Sequence, residues 1–336
     1  MSVFTQEKIA LVKEEISKSK SAVIVAHRSP DGDSVGSSVG LYHYLKKKGL
    51  NVTICHPDPA PYIFDWMLGV ETILNAEENE TEVLNLIAST DLLFCLDFNT
   101  MSRAGRLAEA LLDSKAKKIM IDHHIHPSDE FDYVFSDTSS CATAQLIVDF
   151  VSAMDDEDLL DKTIGEALYC GIMTDSGSFR FPSVTPHTHT VVALLMEKGL
   201  KPYIVHESVF DTNTFDKLRL HSFAINEQTE IIDEYHTAII HLNANDLKNF
   251  NYVKGDTEGL VNMGLSIYGI RKSIFLKESD GIIKISFRSK GEDNPVNVMA
   301  NTYFQGGGHA NAAGGKWDGT MEEAIAEVKR VLPEFS

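Results

Sequence analysis

The apolar positions of the first half fall into short uninterrupted runs separated by helix-length segments. In order these are "SAVIVAH" (21–27), "SVGSSVGLYHYLKKKG" (34–49), "NVTIC" (51–55), "DLLFCLD" (91–97), "RAGRLAEALLDS" (103–114) and "KKIMID" (117–122). Runs that are apolar at successive rather than alternate positions describe strands buried on both faces. Their alternation with helical segments predicts an α/β domain whose parallel sheet is covered on both sides by helices. From about 141 to 200 the pattern turns mostly helical, through "CATAQLIVDFVSAM", "TIGEALYCGIMTD" and "THTVVALLMEKGL". A second pattern then begins, with strands "HTAIIHL", "KSIFLKE" and "GIIKISFRS" and helices near "TEGLVNMGLSIYG" and "NPVNVMANTYF". It predicts a smaller mixed α+β domain. The expected division is a domain over 1–195, a linker over 196–225 and a second domain over 226–336.

Composition narrows the function. The chain has 336 residues, 43% of them hydrophobic, which is enough for a core in each of two domains. With 49 acidic and 30 basic residues the formal charge is −19, which opposes tight binding along a nucleic-acid duplex. Small anionic substrates stay compatible where positive charge is concentrated, and residues 264–316 hold seven Lys and Arg against four Asp and Glu. The opening "MSVFTQEKIALVKEEISKSK" lacks the pattern of a signal peptide, and no run approaches the ~18 apolar residues of a membrane span. A cytoplasmic protein that does not engage a membrane is the expectation. The four cysteines are scattered in apolar stretches without a CxxC, so they read as buried thiols.

In a parallel α/β sheet, ligands sit beyond the carboxyl ends of the strands. There the sequence puts His27, followed by "RSPDGDS" with Asp31 and Asp33, then Asp97, then Asp122, His123 and His124; Asp175 follows an apolar helical run in "GIMTDSGSF". An isolated Asp-Gly-Asp is usually a turn, and one strand-end histidine is usually a satisfied polar residue. The coincidence of His27, Asp31, Asp33, Asp97, His123 and Asp175 is what points to a shared metal site. Carboxylates and imidazoles without thiolate suit Mn²⁺ or Mg²⁺ better than a structural zinc. Four carboxylates carry more charge than one divalent ion needs, so two ions are expected.

The motifs "AHRSPDGDSVGS", "LDFN", "IDHH", "GIMTDSGSF" and "GGGHANAAGG" occur in the order and spacing of the DHH phosphoesterase superfamily with its DHHA1 C-terminal domain. The chain resembles that superfamily over nearly its whole length, and its size is similar to that of the bacterial oligoribonuclease (nanoRNase) and pAp phosphatase branch. The resemblance implies one ion held by His27, Asp31 and Asp97 and another by Asp33, Asp97, His123 and Asp175, with Asp97 bridging. It implies that His124 faces the scissile phosphate and that Asp122 acts from behind it. It also implies a phosphate or nucleotide grip in the second domain. There Gly306, Gly307 and Gly308 would offer backbone N–H groups, His309 a side-chain donor and Arg288 a bidentate partner. Arg103 is a further candidate for phosphate. The implied cofactor is a pair of Mn²⁺ ions, with Mg²⁺ and Co²⁺ as alternatives. The implied substrates are short oligoribonucleotides, cleaved to mononucleotides, and 3′-phosphoadenosine 5′-phosphate (pAp), converted to AMP in a cleft between the domains. A cyclic-di-AMP or pApA phosphodiesterase is the alternative, long duplexes are not expected as partners, and a homodimer is left open.

Overall fold

The uninterrupted apolar runs of the first half become the strands of one parallel sheet. The computed structural model describes residues 3–279, 281–291 and 293–335, and the chain divides into two compact units between Thr212 and Asn213. The first unit runs α1 (Gln6–Lys18), β1 (Ser21–Val25), α2 (Gly32–Lys47), β2 (Asn51–His56), β3 (Leu74–Asn75), α3 (Ala76–Ser89), β4 (Leu92–Leu96), α4 (Ala108–Asp113), β5 (Lys117–Asp122) and β6 (Tyr133–Ser136). It continues with α5 (Thr143–Ala153), α6 (Lys162–Asp175), α7 (Pro186–Glu197) and α8 (Pro202–Phe210). The strand order is β3-β2-β1-β4-β5-β6 and every pairing is parallel.

Successive strand residues feed two different cores, which is why these strands read as continuous apolar runs. Ala22, Ile24, Phe94, Leu96 and Ile121 pack with α1, α2, α5 and α6, whereas Val23, Val25, Leu93, Cys95 and Met120 pack with α3 and α4. The expected doubly covered sheet is therefore present. Within the first core, α2 and α6 approach unusually closely along glycines. A Cβ on Gly32 would lie 2.9 Å from the Cβ of Thr174, one on Gly36 would strike the Ala167 carbonyl oxygen and lie 2.9 Å from Gly171 N, and one on Gly40 would strike Leu168. The pairing Gly32–Thr174, Gly36–Gly171 and Gly40–Leu168 makes the two helices antiparallel, so the start of α2 meets the end of α6.

The second unit runs α9 (Phe215–Glu227), β7 (Thr229–Ile232), β8 (Thr237–Leu242), α10 (Ala244–Asn249), α11 (Leu260–Ser266), β9 (Lys272–Ser279), β10 (Ile282–Ser289), α12 (Asn297–Tyr303), β11 (Gly307–His309), β12 (Ala312–Trp317) and α13 (Met321–Val331). Its sheet has the order β11-β12-β10-β9-β8-β7 and is antiparallel except where β8 meets β9. Ile239, Ile274, Ile285 and Phe287 face α12 and α13, while Ile240, Leu242 and Phe275 face α9 and α11. This is the mixed α+β architecture expected from the second pattern.

Residues 196–225, read from the sequence as a linker, are mostly helical. Pro202 opens α8, the Thr214 side chain caps α9 by accepting the Lys217 N–H, and each helix has an apolar face to bury, Val205 and Val209 in α8 and Leu220 and Ala224 in α9. The four cysteines are buried and free of disulfides. Among the described residues no helix is long and apolar enough to cross a membrane.

The glycine seam has a direct test. The atoms that an added methyl group at Gly36 would meet belong to the α6 backbone, which cannot swing aside. Gly36→Ala is expected to lower stability by about 1–3 kcal/mol through overpacking, read as a lower urea midpoint at unchanged slope. A midpoint equal to that of the parent would show that the helices can separate freely.

Candidate metal centre

The order of the first sheet reverses between β1 and β4, and in doubly wound sheets the crevice outside the strand ends at that reversal is where ligands bind. His27 lies two residues beyond β1 and Asp97 one residue beyond β4, with Asp122, His123 and His124 at the end of neighbouring β5. Asp97 has a left-handed backbone (φ 62°), and its N–H donates to the Ile121 carbonyl (3.1 Å), which turns its side chain out of the strand. Asp31 and Asp33 begin α2 and Asp175 ends α6, so the antiparallel seam brings them to the same rim. Gly171 completes this approach, since a Cβ there would lie 2.8 Å from Asp33 Oδ1.

The six side chains converge. His27 Nε2 lies 3.2 Å from Asp97 Oδ2 and 3.7 Å from Asp31 Oδ2. His123 Nε2 lies 3.4 Å from Asp175 Oδ2, 3.5 Å from Asp97 Oδ1 and 3.9 Å from Asp33 Oδ2. Ligand atoms of His27, Asp31 and Asp97 fall within 4.8 Å of one another, as do those of Asp33, His123 and Asp175 and those of Asp97, His123 and His124. The orientation of the rings suits a cation. His27 Nδ1 is 2.8 Å from the Arg28 carbonyl and His123 Nδ1 is 3.3 Å from the Ser140 carbonyl. A carbonyl only accepts, so each Nδ1 carries hydrogen and each Nε2 is the atom that can ligate.

Sequence reasoning missed what holds the carboxylates. The N-terminus of α5 donates Thr143 N–H to Asp33 Oδ2 (2.6 Å) and Ala144 N–H to Asp33 Oδ1 (2.8 Å), and the Thr143 hydroxyl donates to Asp97 Oδ1 (3.1 Å). A helix N-terminus favours negative charge, so α5 offsets part of the cost of burying two acids. The only sequence trace of this is a threonine after the small residues "SSCA", which by itself names no role.

Proton positions follow from the crowding. Burial disfavours charge on His27, but Asp31 and Asp97 outweigh it and lift the ring to about 11. Burial acts the same way on His123, which Asp97, Asp33 and Asp175 lift to about 10. Asp97 is buried too, yet the rings of His123 and His27 hold its carboxyl below the usual range. Burial, with Asp97 and Asp175 nearby, pushes Asp33 up, and burial carries Asp175 to about 7 against the pull of His123. The Nε2 atoms that these carboxylates favour as protonated are the same atoms that could ligate a cation.

The DHH family, N-terminal domain, matches residues 21–172, and the DHHA1 domain matches residues 236–334. A solved structure described as an exopolyphosphatase-related protein from Bacteroides fragilis superposes with a TM-score of 0.96 at 34% identity, covering 98% of this chain and 97% of that one. The chain belongs to the DHH family. The family read from the five motifs is the family found. The bifunctional oligoribonuclease and PAP phosphatase NrnA of Bacillus subtilis is 26% identical over 93% of this chain and 95% of its own length. The cyclic-di-AMP phosphodiesterase PdeA of Listeria monocytogenes is also 26% identical over 96% of this chain, which spans only 49% of that protein.

Within the DHH unit, Asp122 grips its neighbour twice, accepting His124 N–H at Oδ2 (3.1 Å) and lying 2.7 Å from His124 Nδ1 through Oδ1. Arg103 lies beyond Asp97 in the 3-10 segment Met101–Leu107. In the DHHA1 unit, Arg288 and His309 are each paired in register with Ala312, so both side chains stand on one face of the sheet. Gly306 N–H is donated to the Ala300 carbonyl (3.0 Å), and Gly307 and Gly308 form β11 against β12. The run is the edge strand of the sheet, with Gly307 and Gly308 exposed, so that alternate backbone groups point away from β12. A Cβ on Gly308 would lie 2.5 Å from the Ala312 carbonyl oxygen, so close strand packing accounts for that glycine.

Because ligation needs Nε2 without its proton, divalent-cation binding should release protons near neutral pH and tighten as pH rises toward 10. Calorimetric titration with Mn²⁺ in two buffers of different ionisation enthalpy measures this directly. Heats that do not depend on the buffer would contradict the proton-holding site.

Proposed function

We propose that this chain is a cytoplasmic two-metal phosphoesterase that hydrolyses short oligoribonucleotides to mononucleotides and pAp to AMP. The observation that carries the reading is Asp97, which directs Oδ2 toward His27 and Oδ1 toward His123 and so stands between two clusters of ligands. In this reading His27, Asp31 and Asp97 hold one Mn²⁺, and Asp33, Asp97, His123 and Asp175 hold the other, with Mg²⁺ and Co²⁺ as substitutes. When bound, a pair of divalent ions lowers the pKa of water and neutralises charge on phosphoryl oxygens.

The protein groups supply orientation. Asp31 divides its oxygens between two tasks, Oδ1 accepting the N–H groups of Asp33 and Ser34 at the start of α2 and Oδ2 facing His27. Asp122 fixes the His124 ring by Nδ1, and in this reading Nε2 is the atom that donates to a phosphoryl oxygen as negative charge grows there. Arg288 and His309 take the nucleotide, with the small residues Ala312 and Gly314 on the same stretch of sheet. The similarity to NrnA along almost the full length of both chains supports oligoribonuclease and PAP phosphatase activity. The similarity to PdeA, of which this chain covers 49%, supports cyclic-di-AMP as the second reading.

Product analysis decides between them. Protein and Mn²⁺ are mixed with equal amounts of pAp, a 5′-phosphorylated RNA dinucleotide, a long RNA, cyclic-di-AMP and pyrophosphate. Turnover of pAp and the dinucleotide with little of the rest is expected; preference for cyclic-di-AMP would overturn the substrate assignment. Asp97→Asn should cost on the order of 10³-fold in rate, and full Mn²⁺-dependent activity in that variant would remove the bridging role. Arg288→Ala should weaken substrate binding by about 1.5–3 kcal/mol, the range for a hydrogen bond to a charged group, and should act mainly through KM.

A further inference from the structure

Two arginines stand beside the metal centre with no acid to pair with. Arg28 follows His27, and its carbonyl is the group that accepts from His27 Nδ1 (2.8 Å). Its N–H donates to the Arg103 carbonyl (2.9 Å), so the two residues are joined through their backbones. Gly105 keeps a positive φ of 57°, and a Cβ there would lie 3.4 Å from Arg28 Cβ and 3.6 Å from Arg28 Cδ. The aliphatic stem of Arg28 therefore runs along the turn that carries Arg103. Among the described residues neither guanidinium has a carboxylate within 4.0 Å. Asp58 accepts the Ser29 N–H (2.7 Å) and does not pair with Arg28. Both arginines belong to segments that carry metal-site residues, Arg28 directly after His27 and Arg103 six positions after Asp97.

Charge balance says which anion. The carboxylates of Asp31, Asp33, Asp97 and Asp175 offset two divalent cations, so the loaded centre has no excess positive charge for a phosphate that is not reacting. We propose that Arg28 and Arg103 form an anion subsite beside the metal centre that takes a second, non-reacting phosphate of a nucleotide substrate. The inference rests on the phosphoesterase reading and deepens it. Arginine keeps its charge at any working pH and offers several N–H donors to phosphate oxygens. The subsite would favour substrates with two phosphates over those with one.

The test compares initial rates on a 5′-phosphorylated adenosine dinucleotide and on the same dinucleotide without that phosphate, using full-length protein with Mn²⁺. The preference for the phosphorylated substrate, as a ratio of kcat/KM values, should fall roughly ten- to hundredfold in Arg28→Gln and in Arg103→Gln, mostly through KM. Arg28→Lys should restore part of it, because an ammonium keeps the charge and loses the fork. A preference unchanged in both glutamine variants would overturn the subsite. Calorimetric binding of AMP and of adenosine separates this from the parent reading. If the protein hydrolyses neither dinucleotide but the glutamine variants lose AMP affinity relative to adenosine, the subsite stands and the catalytic reading falls. Hydrolysis with no change in either ratio gives the reverse, and no hydrolysis with no loss of AMP affinity removes both.

Discussion

The close approach of α2 to α6 is the contact on which the first unit depends. With Gly32, Gly36 and Gly40 on one helix and Gly171 on the other, the two backbones meet at a distance that no Cβ would permit. Because the helices are antiparallel, this contact carries Asp31 and Asp33 from the start of one to Asp175 at the end of the other. Widening the seam by a methyl group would separate the carboxylates along with the helices. The packing that stabilises the unit and the geometry of its site are therefore one constraint.

Bringing four carboxylates together is costly, and the surroundings show how the cost is met. Asp33 and Asp97 are almost fully buried. Hydrogen bonds from the N-terminus of α5 serve both, and His27 and His123 retain protons beside them. Charged groups in such a place persist only when paired, and here the partners are amides, a hydroxyl and imidazolium ions. A cation that displaces those protons takes over their electrostatic task.

How legible all this was in sequence depends on what sets each feature. The sheet could be read because burial on both faces writes itself into "SAVIV", "LLFCL" and "KIMID" as continuous apolar runs, and the site acids because parallel strands end on one rim. Thr143 could not be read, since its task comes from where α5 points and nothing in "CATAQ" records that. The seam glycines were visible in "DGDSVGSSVG" but carried no meaning until their partners on α6 were known. Residues 196–225 read as a linker because the change from one pattern to the next falls there; the boundary between the two units lies in this stretch, and helices α8 and α9 within it each have an apolar face.

The glycine run of the second unit shows why a motif needs its backbone partners before it can be given chemistry. As sequence, three glycines before a histidine suggest free amides for an anion. In the fold, Gly306 gives its N–H to the end of α12, and a side chain there would run into the Gly314 carbonyl of β12. Gly307 and Gly308 pair with β12 from the edge of the sheet. What the run delivers is position: by letting β11 lie against β12 it sets His309 in register with Ala312, and β10 sets Arg288 in register with the same residue from the other side. Two donors that are twenty-one positions apart in sequence thus flank one small residue on a single sheet face. The register thus sets Arg288 and His309 over a floor of small residues at the edge of the sheet.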